Sequence, residues 1–452
     1  STQAKTLFPY TTLFRSQFNI PHLDNRLVKR YGRLVKLNMN PLASLAPALK
    51  DIASTQKTSF ATTQAVWRFL NNENVSFQQL NQPIQKLALE QIALSNHHYA
   101  LVAHDWSQLQ YFKHNNKLNR FKRTHASDKG YELQSSLLID AETGLPIAPL
   151  DQTLCDATGR YSTFTDGHKI KETHLNALCE QIEHIESLPI EKKLVHIIDR
   201  EGDSIAHLRL LNQQEHLFLI RGKEGNRVEY QGEDVKLREV SDQIPTTQTH
   251  TIQYKGNCEQ LYVGETQISI TRNARPMQKD ETGKRVPPQK GKSLTVRLIV
   301  VEVKNKQGKS LSRWSLLSNV SSEIPSIELA TWYYWRWKIE NYFKLLKQAG
   351  HDIESWLQTT PQAILRRLLI ASMACVLTWR IQRENDEKNS RVRVFLTRLS
   401  GRQQKRGTRE SAPAILAGLS ILLNTLQLLS EHSVDDLKLI AEIALESLQK
   451  DV

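Results

Sequence analysis

The sequence predicts a mixed α/β protein with a helical region on either side of its sheet. Three observations lead there. Two short apolar runs, residues 99–103 and 194–198, each end near an aspartate, and an amphipathic stretch at residues 172–187 lies between them. That is the pattern of buried strands joined through a helix. Residues 218–301 then turn β-rich, with short runs that alternate apolar and polar side chains as antiparallel strands do. Before residue 95 and after Pro325 the apolar spacing is helical.

Taken in chain order, the first segment stands apart. Residues 6–16 read TLFPYTTLFRS, which a common sequencing-adapter oligonucleotide encodes when translated in frame. Residues 1–16 are therefore excluded from the fold, and the native N-terminus is expected to be missing. Three helices are expected next. In the first, Leu27, Val28, Leu34, Val35 and Leu37 recur at helical spacing among Arg26, Lys29, Arg30, Arg33 and Lys36. The second runs from about Thr62 through Trp67 and Phe69 to a polar stretch at residues 71–74, and the third covers residues 76–94. From Tyr99 the character changes. Residues 99–103, 111–112, 133–139 and 194–198 read as strands and residues 172–187 as a helix. Residues 251–254, 261–263, 267–271 and 294–303 read as antiparallel strands, with an exposed loop holding seven Lys or Arg at residues 272–292. Helix resumes after Pro325, gives way to a basic linker at residues 391–409, and ends in apolar-rich helix over residues 412–448.

Composition narrows the function. The chain carries 60 Lys and Arg against 47 Asp and Glu, a net charge of +13, which points to a polyanionic partner. A hydrophobic fraction of 39% excludes a wholly disordered chain. The longest apolar run, residues 368–379, is 12 residues and too short to span a bilayer. Cys155, Cys179, Cys258 and Cys375 form no C-x-x-C or zinc pair, and no secretory signal is visible, so free thiols and a cytoplasmic location are expected.

Residues 331–350, TWYYWRWKIENYFKLLKQAG, carry the sharpest chemistry. On one helix, Tyr333, Arg336, Glu340 and Lys347 fall within about 60° of each other, with Lys344 close by. Trp335, Ile339, Tyr342 and Leu346 make an apolar opposite face. A solvated face explains the charges alone, but not Trp337 beside them. Cations that hold phosphates, aromatics that stack bases and an acid that helps bind metal suit a phosphodiester substrate. Asp105 and Asp199 each follow a near-continuous apolar run, Ala-Leu-Val-Ala-His-Asp and Leu-Val-His-Ile-Ile-Asp. Either alone is expected to cap a turn. Together with the helix they favour a divalent metal, since two carboxylates at neighbouring strand ends repel and Mg²⁺ prefers such ligands. His104 and His196 read as packing or support for these acids, and Asp203 as a helix cap.

The spacing Y-x₂-R-x₃-E-x₆-K of Tyr333, Arg336, Glu340 and Lys347 resembles the signature of bacterial insertion-sequence DDE transposases of the insertion-sequence-four (YREK) family. Asp105 resembles that family's first catalytic acid, Asp199 in Asp-Arg-Glu-Gly-Asp its second, and Glu340 its third. Trp314 sits where members have a tryptophan that receives a flipped base. Asp24, Arg26 and Arg30 resemble the N-terminal D-x-R segment, and Trp67-Arg68-Phe69-Leu70 the next helix. The resemblance covers about residues 23–350. It implies an RNase H-like catalytic core of the retroviral integrase superfamily, in two parts over residues 96–216 and 311–383, interrupted by a β-rich insertion over residues 217–310. A helical DNA-binding domain over residues 17–95 and a helical dimerisation region over residues 384–452 would flank it. It also implies two Mg²⁺, with Mn²⁺ able to substitute, held by Asp105, Asp199 and Glu340. Cleavage of transposon-end double-stranded DNA, a hairpin intermediate and joining to target DNA would follow, within a homodimer and without a membrane. Tyr333, Arg336 and Lys347 would hold phosphate near the scissile bond, while Lys284, Arg285 and Lys290 in the basic loop would contact DNA generally. Two alternatives share these residues: a non-catalytic, DNA-binding and dimerising relative that interferes with active copies, and an RNase H-like nuclease without strand transfer. Glu354 is the alternative third acid.

Overall fold

The computed structural model describes residues 20–39, 56–122, 128–170, 172–254, 256–274, 281–284, 286–288, 290–347, 350–403 and 409–449. The adapter-like residues 6–16, and Arg285, lie outside the described residues. Strands β1 (Tyr99–Gln110), β2 (Phe121–Lys122), β3 (Lys129–Asp140) and β4 (Pro146–Cys155) come first, followed by the short β5 (Gly159–Ser162) and β6 (Lys169–Ile170). Helix His174–Glu186 leads to β7 (Lys193–Ile198), and helix Ile205–Gln213 to β8 (Leu217–Arg221). Then come β9 (Arg227–Tyr230), β10 (Glu233–Lys236), β11 (Gln248–Tyr254), β12 (Asn257–Ile270), β13 (Leu294–Lys304) and β14 (Ser310–Ser318). The chain forms two compact units.

One unit consists of Gln85–Gln108 and Glu132–Asn341. Its strands belong to one mixed sheet in the order β10-β9-β12-β13-β14-β8-β7-β1-β3-β4-β5-β6, with β11 paired to β12. β1 and β7 run parallel with Ala103 opposite Ile197, and β7 and β8 run parallel beside them. β3 and β4 are antiparallel to each other. The runs expected at 261–263 and 267–271 are parts of one strand, β12, and the strands after residue 217 extend the same sheet through β14. Leu178, Ile182, Ile198, Leu208, Ile220 and Leu317 share one buried cluster, which anchors helices His174–Glu186 and Ile205–Gln213 on the sheet. Burying such side chains contributes about 1.5–3 kcal/mol each. Helix Ser326–Trp335 packs on β11, β12 and β13. Gly144 faces that helix: its φ is +67°, and a Cβ there would lie 2.3 Å from the Trp335 ring, so only glycine fits.

The other unit consists of Ser1–Ile84, Leu109–Tyr131 and Tyr342–Val452. Helix Pro361–Arg383 is buried through Trp379 and contacts helices Asn25–Asn38, Gln56–Leu70, Glu387–Leu399 and Ala412–Glu431. Asn25–Asn38 buries Tyr31, Leu34 and Val35 and leaves Arg26, Lys29, Arg33 and Lys36 exposed, with Asp24 capping its first turn. Arg366, inside the apolar helix, donates to Leu70 O at 3.0 Å and Val75 O at 2.8 Å, filling carbonyls left open where Gln56–Leu70 ends.

Three expectations are corrected here. Residues 391–399 of the supposed basic linker at residues 391–409 belong to helix Glu387–Leu399. Arginine is a good helix former, Asp386 caps the first turn, and Arg391 pairs with Glu387 one turn away at 2.6 Å. Residues 111–112 are not a strand: a turn begins at Phe112, closed by His114 N on Tyr111 O at 3.0 Å, while the Tyr111 hydroxyl bonds Ile353 O at 2.6 Å. The C-terminal apolar stretch is two helices, Ala412–Glu431 and Val434–Gln449, divided where Ser433 caps the second through Asp436. Among the described residues no helix is long and apolar enough to cross a membrane.

Candidate active site

Asp105 lies in β1 and Asp199 directly follows β7. Continuing the parallel register two residues past the Ala103–Ile197 pair sets Asp105 opposite Asp199. The approach is electrostatically costly. Burial pushes the Asp105 carboxyl above its ordinary range and Asp199 adds to the shift, while Arg336 opposes it. Asp199 also caps the following turn, accepting from Glu201 N at 2.8 Å, as expected of an aspartate just past a strand.

Glu340 is tied to Asp105 through an arginine. Arg336 donates to Asp105 Oδ2 at 2.8 Å and to Glu340 Oε1 at 3.2 Å, so one guanidinium ties the β1 acid to the Glu340 helix. Burial works against the Arg336 charge, but Tyr333, Asp105 and Glu340 together hold its pKa above the ordinary value. Its Nε is buried without a hydrogen-bond partner among the described residues.

The helix expected over residues 331–350 is interrupted. Ser326–Trp335 and Trp337–Leu346 are separate helices, and Arg336 lies between them. There the bonds tighten to i→i−3, from Arg336 N to Tyr333 O and from Ile339 N to Arg336 O, both 3.1 Å. The face expected to be exposed is also largely covered. Tyr333 is 3% and Arg336 8% exposed, whereas Trp337 is 41% exposed. Burial raises the Tyr333 phenol, which feels the charges of Arg336, Arg221 and Asp199. The opposite-face residues Ile339, Tyr342 and Leu346 are buried as expected.

Trp314 does not show the partly exposed ring expected of a base acceptor. It is 4% exposed on β14, with its ring 5.6 Å from that of Tyr333. In this structure it backs Tyr333 as a core residue. Lys347 lies in the turn after helix Trp337–Leu346 and pairs with Glu354 at 3.4 Å, inside the helical unit. Lys284 and Lys290 are exposed, Arg26 is exposed and Arg30 half-buried.

Several supporting residues escaped sequence reading. His174 bonds Glu132 at 2.8 Å and Glu201 at 3.1 Å while Trp106 stacks on its ring at 4.9 Å. The hydrogen bonds to Glu132 and Glu201 raise its pKa to about 9. Asp203 is not the expected helix N-cap, a position Ser204 holds: it is buried and accepts from Lys223 N, Asn226 and Arg272 at 2.6, 2.7 and 3.0 Å. Such partners, 20 to 69 residues away, leave no local signal.

As the side chains stand, no three His, Cys, Asp or Glu among the described residues surround a common metal position. The donor set still suits a hard divalent cation: it is all carboxylate, and Asp105 is desolvated beside a second acid, a combination that an added positive charge relieves. The family described as "Transposase DDE domain" matches residues 97–377, more than half of the chain. No curated protein matches the chain.

Proposed function

The chain belongs to the transposase DDE domain family, and from that premise we propose that it cuts transposon-end DNA and joins it to target DNA by metal-dependent phosphoryl transfer, as a YREK-type enzyme. The observation that carries this reading is the matched placement of Asp105 and Asp199 on parallel strands, with Arg336 linking Asp105 to Glu340. The mixed order of β4, β3, β1, β7 and β8 supports an RNase H-like core, and β9 to β13 lie between the second acid and the Glu340 helix, as an insertion would.

Asp105, Asp199 and Glu340 would hold Mg²⁺, two ions by the family resemblance, which supply charge at the attacking and leaving oxygens. The remaining work falls to the protein's own groups. Arg336 is buried, keeps its charge and has an unused Nε–H for a phosphate oxygen. Tyr333 is held rigid between Trp314 and Arg336 to place its hydroxyl beside the same phosphate. Trp337 offers an exposed ring next to Arg336 for a base. Lys347, Lys284, Lys290, Arg26 and Arg30 are proposed to neutralise phosphates farther along the duplex. The helices after residue 384 leave Phe395, Leu429, Leu439, Ile440 and Ile443 exposed, which supports a homodimer formed there.

The test uses supercoiled plasmid carrying the inverted repeats read from the flanking DNA. Asp105→Asn, Asp199→Asn and Glu340→Gln should each abolish Mg²⁺-dependent cleavage and leave duplex binding largely intact. A variant that cuts at near the parent rate removes that acid from the site.

A further inference from the structure

The turn after β1 uses a buried cation to hold apolar side chains out in water. Lys117 is 5% exposed, and its ammonium donates to Trp356 O at 2.5 Å and Gln358 O at 2.7 Å. It lies 4.2 Å from the centre of the Tyr111 ring. Leu118 N donates to Thr359 O at 2.8 Å, and Tyr131 bonds Leu118 O. Asn119 then takes a left-handed φ of 56°, which asparagine tolerates, and Arg120 ties back to Tyr111 O at 2.5 Å. All these contacts lie within the helical unit.

Burying a lysine is expensive, and here desolvation lowers its pKa to about 7. The anchored loop nevertheless leaves Phe112 51% and Leu118 55% exposed, with the Lys113 ammonium 5.5 Å from the Phe112 ring centre. From Tyr111 to Lys122 there are four Lys or Arg and no Asp or Glu. The two acids nearest in the anchoring segment are Asp352 and Glu354, and Glu354 is already engaged by Lys347 and Gln110 N. An exposed aromatic, an exposed aliphatic and the exposed Lys113 and Lys122, which make no ion pair among the described residues, suit a nucleic-acid surface better than a protein one.

We infer that this loop is a duplex-DNA contact, with Phe112 and Leu118 lying against bases or sugars and Lys113 on phosphate. The inference rests on the transposase reading and adds to it a contact surface outside the acidic site. It explains the anchoring: ordering the loop in advance removes an entropy cost from binding.

The full chain is titrated against a labelled duplex oligonucleotide of arbitrary sequence, by fluorescence anisotropy at several salt concentrations. Phe112→Ala should weaken binding by about 5-fold or more, the low end of what one stacked base contributes. Lys113→Ala should reduce the slope of log affinity against log salt by about one. Both side chains are exposed, so the melting temperature should not move, and Leu118→Ala serves as a further variant of the same kind. Parent-like binding by Phe112→Ala and Lys113→Ala, while the parent binds duplex, overturns the loop assignment alone. Failure of the parent chain to bind any duplex overturns the transposase reading with it. Altered sedimentation of the DNA-free variants would assign the loop to a second copy of the chain and likewise overturn the inference.

Discussion

Replacing Arg336 by methionine keeps most of the side chain's length and removes the charge that joins two carboxylates. The side chains of Arg336, Asp105 and Glu340 are 10%, 19% and 30% exposed. Removing one partner of a buried ion pair costs about 3–5 kcal/mol, because a desolvated charge is left behind. Glu340 is partly open to water, so about 2–4 kcal/mol is expected at pH 8. Across a folding unit of 150–250 residues that corresponds to a fall of roughly 4–16 °C in melting temperature. The sign of the pH dependence follows from Asp105. Its carboxyl already binds a proton more tightly in the folded state than its ordinary value implies, and loss of Arg336 removes the main opposing influence. A group that binds protons more tightly when folded stabilises the fold as pH falls through its folded pKa, so the deficit of the variant should shrink toward acid. The assay is thermal unfolding of parent and variant in EDTA from pH 5 to pH 8, repeated with Mg²⁺. If the three acids form a metal site, Mg²⁺ should recover part of the loss in the variant, since it restores positive charge among them. A variant that melts within about 1 °C of the parent in EDTA at pH 8 would refute the reasoning, because Arg336 would then carry no part of the burden.

Trp314→Ala should destabilise the sheet unit by about 3–5 kcal/mol, and the milder Trp314→Phe should slow nicking and hairpin formation equally. Selective loss of hairpin formation with intact nicking would instead return Trp314 to the base-acceptor role. His174, with a folded pKa of about 9 against an ordinary 6.5, contributes stability that is fully present below pH 6.5 and lost as pH rises through about 9. Because its side chain is 36% exposed, solvent screening limits this to about 1 kcal/mol. Urea unfolding of the parent should therefore weaken between pH 6.5 and pH 9.5, and His174→Phe should flatten that trend. Gly144→Ala combines an unfavourable φ with a clash against Trp335 and should cost about 1–3 kcal/mol in the same experiment.

The parts of the fold that sequence reading recovers are those set by local pattern. The runs ending at Asp105 and Asp199 are strands because every residue from Ala100 to Ala103 and from Leu194 to Ile198 is buried, and such runs carry their own signal. β4 escaped because burial covers both of its faces and two prolines interrupt it, leaving neither alternation nor strand-like composition. The break at Arg336 was equally invisible. Arginine favours helix, and the guanidinium's pair with Asp105, 231 residues away, exists only once β1 is beside it. Periodicity placed Tyr333, Arg336 and Glu340 on one face correctly but could not say which element that face meets. A face rich in charge reads as solvated, whereas here it closes over the part of β1 that carries Asp105.

Beneath Asp105 lies a polar chain that joins β1 to β7. Glu186 accepts from His196 Nε2 at 2.8 Å, and in the neutral ring this makes His196 Nδ1 an acceptor. His104 Nε2, 2.9 Å away, must then carry the proton it donates to His196. His104 Nδ1 is left to accept from the Ser136 hydroxyl at 2.7 Å. Each ring therefore has one tautomer that satisfies both of its nitrogens, and burial favours the neutral His104 that this arrangement needs. The chain links β3, β1 and β7 to helix His174–Glu186, one residue before Asp105 and three before Asp199. A slip of either strand by one residue would turn its histidine to the other face of the sheet and leave buried nitrogens unpaired. Two apolar strands could slide past one another at little cost; these cannot. The histidines thus supply the register that places Asp105 opposite Asp199, and the repulsion between the acids is borne by a network fully satisfied before any substrate arrives.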